Sequence, residues 1–213
     1  MSQFLWNPWG GGGGSGSVMP LDLALFENNS PINEVGTIVD SVTFNWKYSS
    51  GRPSTQNITP KVGLVSNSVR RVTLNNANIT DNTSFTLEAS DGTAVCTAET
   101  KVNFYYPTFV GLVKGEVPVV NEIAMIPKKL IPAESFIGEF ICEDDRPAIA
   151  IHSSLPNLSD IKETVFGLSF INKFVKYDNI YLTTACGSQP YKVYIYDTIM
   201  HTMGLIQKFQ FIF

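Results

Sequence analysis

Between residues 42 and 48 apolar and polar side chains alternate without a break. Val42, Phe44, Trp46 and Tyr48 fall on one face and Thr43, Asn45 and Lys47 on the other. A period of two marks a strand with one buried face. Residues 189–196 repeat the pattern near the other end of the chain, with Tyr191, Val193 and Ile195 set against Lys192, Tyr194 and Tyr196. Residues 209–213 alternate through Phe213, which predicts a paired strand there and not a frayed end. No stretch of useful length keeps a 3.6-residue period, so helix is expected to be a small minority.

The same patterning predicts strands near 36–48, 69–74, 84–89 and 93–105. Turn-forming text separates them, including Ser49-Ser-Gly-Arg-Pro53 and Asn75-Asn-Ala-Asn78. Ser90-Asp91-Gly92 between two alternating runs predicts a hairpin, because glycine supplies the positive φ that tight turns need. Turn signals this closely spaced predict a small antiparallel sandwich over residues 21–112. Strands are predicted again near 135–142, 147–152, 165–171, 191–196 and 205–213, giving a second sandwich over 113–213. Residues 160–163 suit either one helical turn or a short extended piece. The fold class expected is all-β, two antiparallel immunoglobulin-like β-sandwiches preceded by a flexible N-terminal arm.

That arm, residues 1–20, joins Phe4-Leu-Trp-Asn-Pro-Trp9 to five consecutive glycines and Ser15-Gly-Ser17. The glycines oppose regular structure through backbone entropy. Two tryptophans on a tether read as an anchor, with Phe4, Trp6 and Trp9 docking on a partner; the bland alternative is a disordered tail or an expression scar.

Charged residues make up only 16% of the chain, against roughly 25% in an ordinary globular protein. Such a surface suits assembly with neighbours, or a β-protein that uses Thr, Ser and Asn in place of Lys and Glu. Net charge is −4, and the longest basic runs are the pairs Arg70-Arg71 and Lys128-Lys129. A phosphate-backbone footprint is therefore not expected, and nucleic acid is not an expected partner. The three cysteines, Cys96, Cys142 and Cys186, are too scattered for a zinc site or a disulfide framework, and Cys96 reads as a core residue. The chain shows no signal-peptide layout and no apolar run near the roughly 18 residues of a membrane helix, so membrane insertion is not expected.

Candidate chemistry is sparse. Glu143-Asp-Asp145 is the densest acidic cluster, and it reads better as a solvated turn than as a calcium site. The two histidines, His152 and His201, lack the spacing of a hydrolytic site. No catalytic residue, metal ligand or cofactor is assigned. Tyr105, Tyr106, Tyr194 and Tyr196 are candidates for a sugar-binding platform or a subunit interface.

Taken as an ordered series, several segments resemble a tandem β-sandwich module of bacteriophage tail- and fibre-associated proteins. They begin with Ser41-Val-Thr-Phe-Asn-Trp-Lys-Tyr48, Arg70-Arg-Val-Thr-Leu74 and Asn78-Ile-Thr80, followed by Phe85-Thr-Leu87 and the Asp91-Gly92 turn. Phe104-Tyr-Tyr-Pro-Thr-Phe-Val-Gly111 looks like the junction that closes the first sandwich of such proteins. Ala148-Ile-Ala-Ile-His-Ser-Ser-Leu-Pro156, Leu158-Ser-Asp-Ile161, Tyr191-Lys-Val-Tyr194 and Phe209-Gln-Phe211 continue it, so that the likeness spans roughly residues 36–213. The resemblance implies a non-enzymatic virion structural protein of the tail or a fibre; the scattered cysteines suit folding in a reducing host cytoplasm, and release in a particle by lysis fits the lack of a signal-peptide layout. Other virion proteins would be its partners and a homo-oligomer, best guessed as a trimer, its state. Receptor recognition through a host-surface glycan is the alternative.

Overall fold

The computed structural model describes residues 20–131 and 134–213. The arm, with Phe4, Trp6 and Trp9, lies outside the described residues. Strands take 60% and helix 4% of the described residues, an all-β fold as the patterning predicts.

The first sandwich is built from β1 (Asp22–Asn28), β2 (Ile32–Glu34), β3 (Val39–Ser50), β4 (Thr55–Thr59), β5 (Gly63–Val65), β6 (Arg71–Ile79), β7 (Thr83–Ser90) and β8 (Val95–Tyr105). One sheet has the order β1-β3-β6 and the facing sheet β2-β8-β7-β4-β5. Read in chain order as A, A′, B, C, C′, E, F and G, this is an immunoglobulin-like arrangement without strand D. Strand β2 lies parallel to β8, whereas the other pairings are antiparallel. The period-two face of β3 supplies the core: Val42 and Phe44 are fully buried, Trp46 nearly so, and Tyr48 packs at the margin. Phe85 and Leu87 of β7 and Ile58 of β4 close it from the other sheet. Asp91 Oδ1 accepts the Thr93 and Ala94 N–H groups, and Gly92 takes φ +95°, which makes the expected β7–β8 hairpin.

The second unit comprises β9 (Thr108–Val113), α1 (Val120–Ala124), β10 (Lys128–Lys129), β11 (Ser135–Phe140), β12 (Glu143–His152), β13 (Asp160–Glu163), β14 (Phe174–Thr184), β15 (Gly187–Tyr196), β16 (Met200–His201) and β17 (Gln207–Ile212). Its main sheet runs β10-β9-β12-β15-β14, with β16 on β12, and a smaller sheet β11-β17-β13 faces it. Two cores flank the main sheet. One, between the sheets, holds Ile149, Ile151, Tyr194, Tyr196, Phe209 and Phe211; the other holds Ala148, Ala150, Tyr191, Val193 and Ile195 beneath Ile123 of α1. The C-terminal strand β17 is central in its sheet, as the alternation to Phe213 predicts.

Several boundaries differ from the sequence expectation. The first sandwich ends at Tyr105, because β9 pairs with β12 and its Phe109, Val110 and Val113 belong to the second unit's cores. Residues 160–163 are strand β13, while the strand expected at 165–171 is a turn followed by a short 3-10 segment at Ile171–Lys173. Cys142, and not Cys96, is the fully buried cysteine.

The two units meet tightly across Tyr106-Pro107. Glu34 Oε1 accepts the Ala185 N–H at 2.9 Å and lies 3.5 Å from Lys128 Nζ, tying the first sandwich to the β14–β15 turn. Gly36 has φ +91°, and a Cβ there would sit 2.5 Å from the Cys186 backbone nitrogen, so this close approach requires glycine.

Candidate functional site

The end of the second unit away from the junction carries an apolar cleft. Strand β12 ends at the junction with His152 and begins at the opposite end, where its Asp145 pairs with Met200 of β16. Met200 lines the cleft together with Val165, Phe166, Leu168, Phe170 and Phe209, enclosing about 270 Å³. Phe166 is 79% exposed, Val165 75% and Leu168 57%. Contiguous apolar exposure of this kind makes the cleft the candidate site of the second unit.

A carboxylate holds Phe166 outward. Glu163 ends β13 and is buried, and its oxygens accept the Phe166 N–H at 2.8 Å and the Val165 N–H at 2.9 Å. Those two bonds, with a weaker one from Gln207, keep the carboxyl below its ordinary pKa. Gly167 at φ +67° then reverses the chain, and its N–H returns to the Glu163 carbonyl. The aromatic ring is thus presented by a pinned turn, which replaces a strand at 165–167; residues 168–170 then fold back on β13, where Ser169 bridges Lys162. Sequence reading passed over Glu163 and Phe166. The signal available was the run Glu163-Thr-Val-Phe-Gly167, in which a carboxylate precedes two large apolar residues and a glycine.

A second, polar cleft lies on the first sandwich and is lined by Arg52, Pro53, Asn67, Ser68 and Arg70. Arg70 donates through one guanidinium nitrogen to the Asn67 carbonyl at 2.7 Å and the Val69 carbonyl at 2.6 Å, and it sits 4.7 Å over the Tyr48 ring. Neither arginine has a carboxylate partner among the described residues.

The four candidate tyrosines do not form a platform. Tyr194 and Tyr196 are buried in the core between the sheets, where Tyr194 Oη accepts the Leu158 N–H and Tyr196 packs against Phe174 and Phe209. The sugar-binding role expected for these two is overturned: β15 is covered on both faces, so alternation leaves neither face to solvent. Tyr105 and Tyr106 are half-buried at the junction. Tyr106 stacks flat on His152, with ring centres 3.5 Å apart.

His152 is itself buried, edge-on to Tyr191, with Nδ1 2.7 Å from the Ser154 hydroxyl. Burial pulls its pKa below the ordinary value and the Lys192 ammonium adds to this, while a Gln189 side-chain contact acts the other way. The unfolded chain therefore binds the proton more readily than the folded one. The resulting stability is present in full above about pH 6.5 and is lost as pH falls from there through the folded pKa. Melting temperature is expected to decline between pH 7.5 and 5.5, and His152→Gln is expected to flatten that decline. An unchanged slope in the variant removes His152 as its source.

The acidic run divides its partners: Asp145 lies 2.6 Å from Lys114 Nζ and Asp144 3.5 Å from His201 Nδ1. No group of three metal-type ligands occurs among the described residues.

No protein-family model matches the chain, and no curated protein does. Among solved structures, it is similar to the N-terminal eight Ig domains of Down Syndrome Cell Adhesion Molecule isoform 1.30.30, at 11% identity and a TM-score of 0.28. The match covers 85% of this chain and 23% of that one. At that TM-score the likeness carries no weight, and the immunoglobulin-like description of the first sandwich rests on its strand order.

Proposed function

We propose that this chain is a non-enzymatic structural protein of a bacteriophage particle, placed in the tail or a fibre and working by assembly with other virion proteins. The observation that carries the reading is the apolar end cleft with its pinned, outward Phe166. A surface of this composition is unfavourable in water and is suited to cover by a neighbour. The two sandwiches, clamped at Glu34 and Gly36, supply a stiff spacer between that surface and the arm. The ordered strand motifs that resemble those of tail and fibre proteins favour the same reading. Imaging of purified particles with labelled protein tests it, and absence of the protein from the particle overturns it. Replacing Trp6 and Trp9 with Ala is expected to leave melting temperature unchanged and to reduce incorporation severely, since buried aromatic anchors contribute about 2 kcal/mol or more each. Normal incorporation of that variant removes the anchor role.

One observation favours a second reading, recognition of a host-surface glycan. The Arg52–Arg70 cleft presents two guanidinium groups with no carboxylate partner among the described residues, Arg70 keeping one nitrogen on the Asn67 and Val69 carbonyls, and it suits an acidic sugar because guanidinium favours carboxylate partners. Arg52→Ala with Arg70→Ala is then expected to weaken binding of an acidic oligosaccharide by at least about tenfold. Equal binding by the unaltered protein and the variant rules the cleft out.

A further inference from the structure

We infer that the apolar cleft of one copy receives the Phe4–Trp9 segment of another copy, so that the chains join head to tail. The inference rests on the assembly reading in taking Phe4, Trp6 and Trp9 as anchors, and it deepens that reading by naming their partner.

The argument is one of reach. The described chain starts at Pro20, whose carbonyl accepts the Ser50 hydroxyl, while the neighbouring Leu21 packs against Gly51. Ser50 ends β3, and β3 begins at Val39, shortly after Glu34 and Gly36 at the junction. Pro20 therefore lies at the far end of the first sandwich, one full length of β3 from the junction. Twelve residues of strand span about 40 Å. The cleft lies at the far end of the second unit, where Met200 pairs with Asp145, and β12 must be followed from His152 back to that point, roughly a further 20 Å. An arm lying along its own molecule must cover both lengths. The chain from Pro20 back to Trp9 extends about 36–40 Å at most. Trp9 therefore reaches no farther than the junction, and a fully straight arm brings Phe4, sixteen residues from Pro20, to only about 53–58 Å, so the segment does not seat in its own cleft, whereas a neighbour's cleft brought up to Pro20 is within range.

The chemistry of the two parts also matches. The segment is Phe4-Leu-Trp-Asn-Pro-Trp9, without a charge, and the cleft is walled by Phe166, Leu168, Phe170, Met200 and Phe209. A contact between unlike surfaces of identical chains generates either an open filament or a closed ring. Closure after three copies gives the trimer that the resemblance to fibre proteins implies.

Two variants and their mixture test the inference by light scattering and sedimentation of the whole protein. Deletion of residues 2–17 removes the arm and keeps the cleft. Phe166→Asp damages the cleft and keeps the arm, and since Phe166 is 79% exposed its melting temperature should not move; Leu168→Lys serves if it does. The unaltered chain is expected to associate, and each variant alone to be monomeric with affinity lowered at least ~30-fold. An equimolar mixture of the two is expected to form a one-to-one dimer, because one intact arm meets one intact cleft. A monomeric unaltered chain, an associating deletion variant, or a mixture that fails to pair overturns the inference. Particle imaging reads the assembly reading separately: a chain that is monomeric in solution yet present in the particle sinks self-docking alone. A chain that pairs as described but is absent from the particle supports self-docking and sinks the virion role.

Discussion

Replacing Phe44 with alanine is expected to destabilise the first sandwich by about 3–5 kcal/mol, the range for deleting a fully buried aromatic ring. Phe44 has no solvent exposure, and its ring lies 4.8 Å from that of Phe85 and 5.8 Å from that of Phe26. Phe44 is on β3 and Phe85 on β7, strands of opposite sheets in the positions where antibody domains place the disulfide joining B to F. Here the cysteines are free and the ring pair spans the sheets instead. The loss should be read by urea denaturation, with Phe44→Leu as the control that keeps most of the volume and costs far less. Equal losses for the two variants would show that ring packing is not the source. Added reductant should leave the unaltered protein's transition where it was.

The second large effect is expected at Gln56. Its side chain is fully buried and accepts the Trp46 indole N–H at 2.7 Å and the Tyr48 hydroxyl at 2.8 Å, while its own amide donates to the Ser66 carbonyl at 2.6 Å. Burial also pushes the Tyr48 pKa up to about 12, so this hydroxyl remains a donor at any pH the fold meets. Gln56→Ala strands the indole N–H in a dry site, and the expected loss is about 3 kcal/mol. Trp46→Phe made in that background should recover part of the loss, because it removes the orphaned donor. Strictly additive costs would mean that the bond itself contributes nothing.

Gln56 also shows where sequence reading stops. Strand β4 went unrecognised because its inward face carries a glutamine whose partners lie on β3 and in the loop after β5. Strand β14 escaped for a different reason: a register shift between Tyr177 and Ile180 breaks the alternation, and Val175 and Tyr181 face solvent. By contrast β3, β15 and β17 were legible, since their apolar faces repeat strictly. The period tells which side chains share a face; it does not tell whether the opposite face is covered, and Tyr194 and Tyr196, candidates for a platform or an interface, lie on a covered one. The apolar cleft was illegible because it joins residues 163–170 to Met200 and Phe209, which only the packing of β13, β16 and β17 brings together.

The position of Pro20 bears on how the molecule carries load. Strand β1 starts at the far end of its sandwich and runs toward the junction, antiparallel to β3, with partners from Asp22–Ser50 to Asn28–Phe44. A pull on Pro20 directed away from the junction acts along β1 and crosswise to its hydrogen bonds. The ladder is then sheared as a set, and no single bond at its end is peeled first. A pull of that kind would load the β1–β3 ladder in shear and not by peeling.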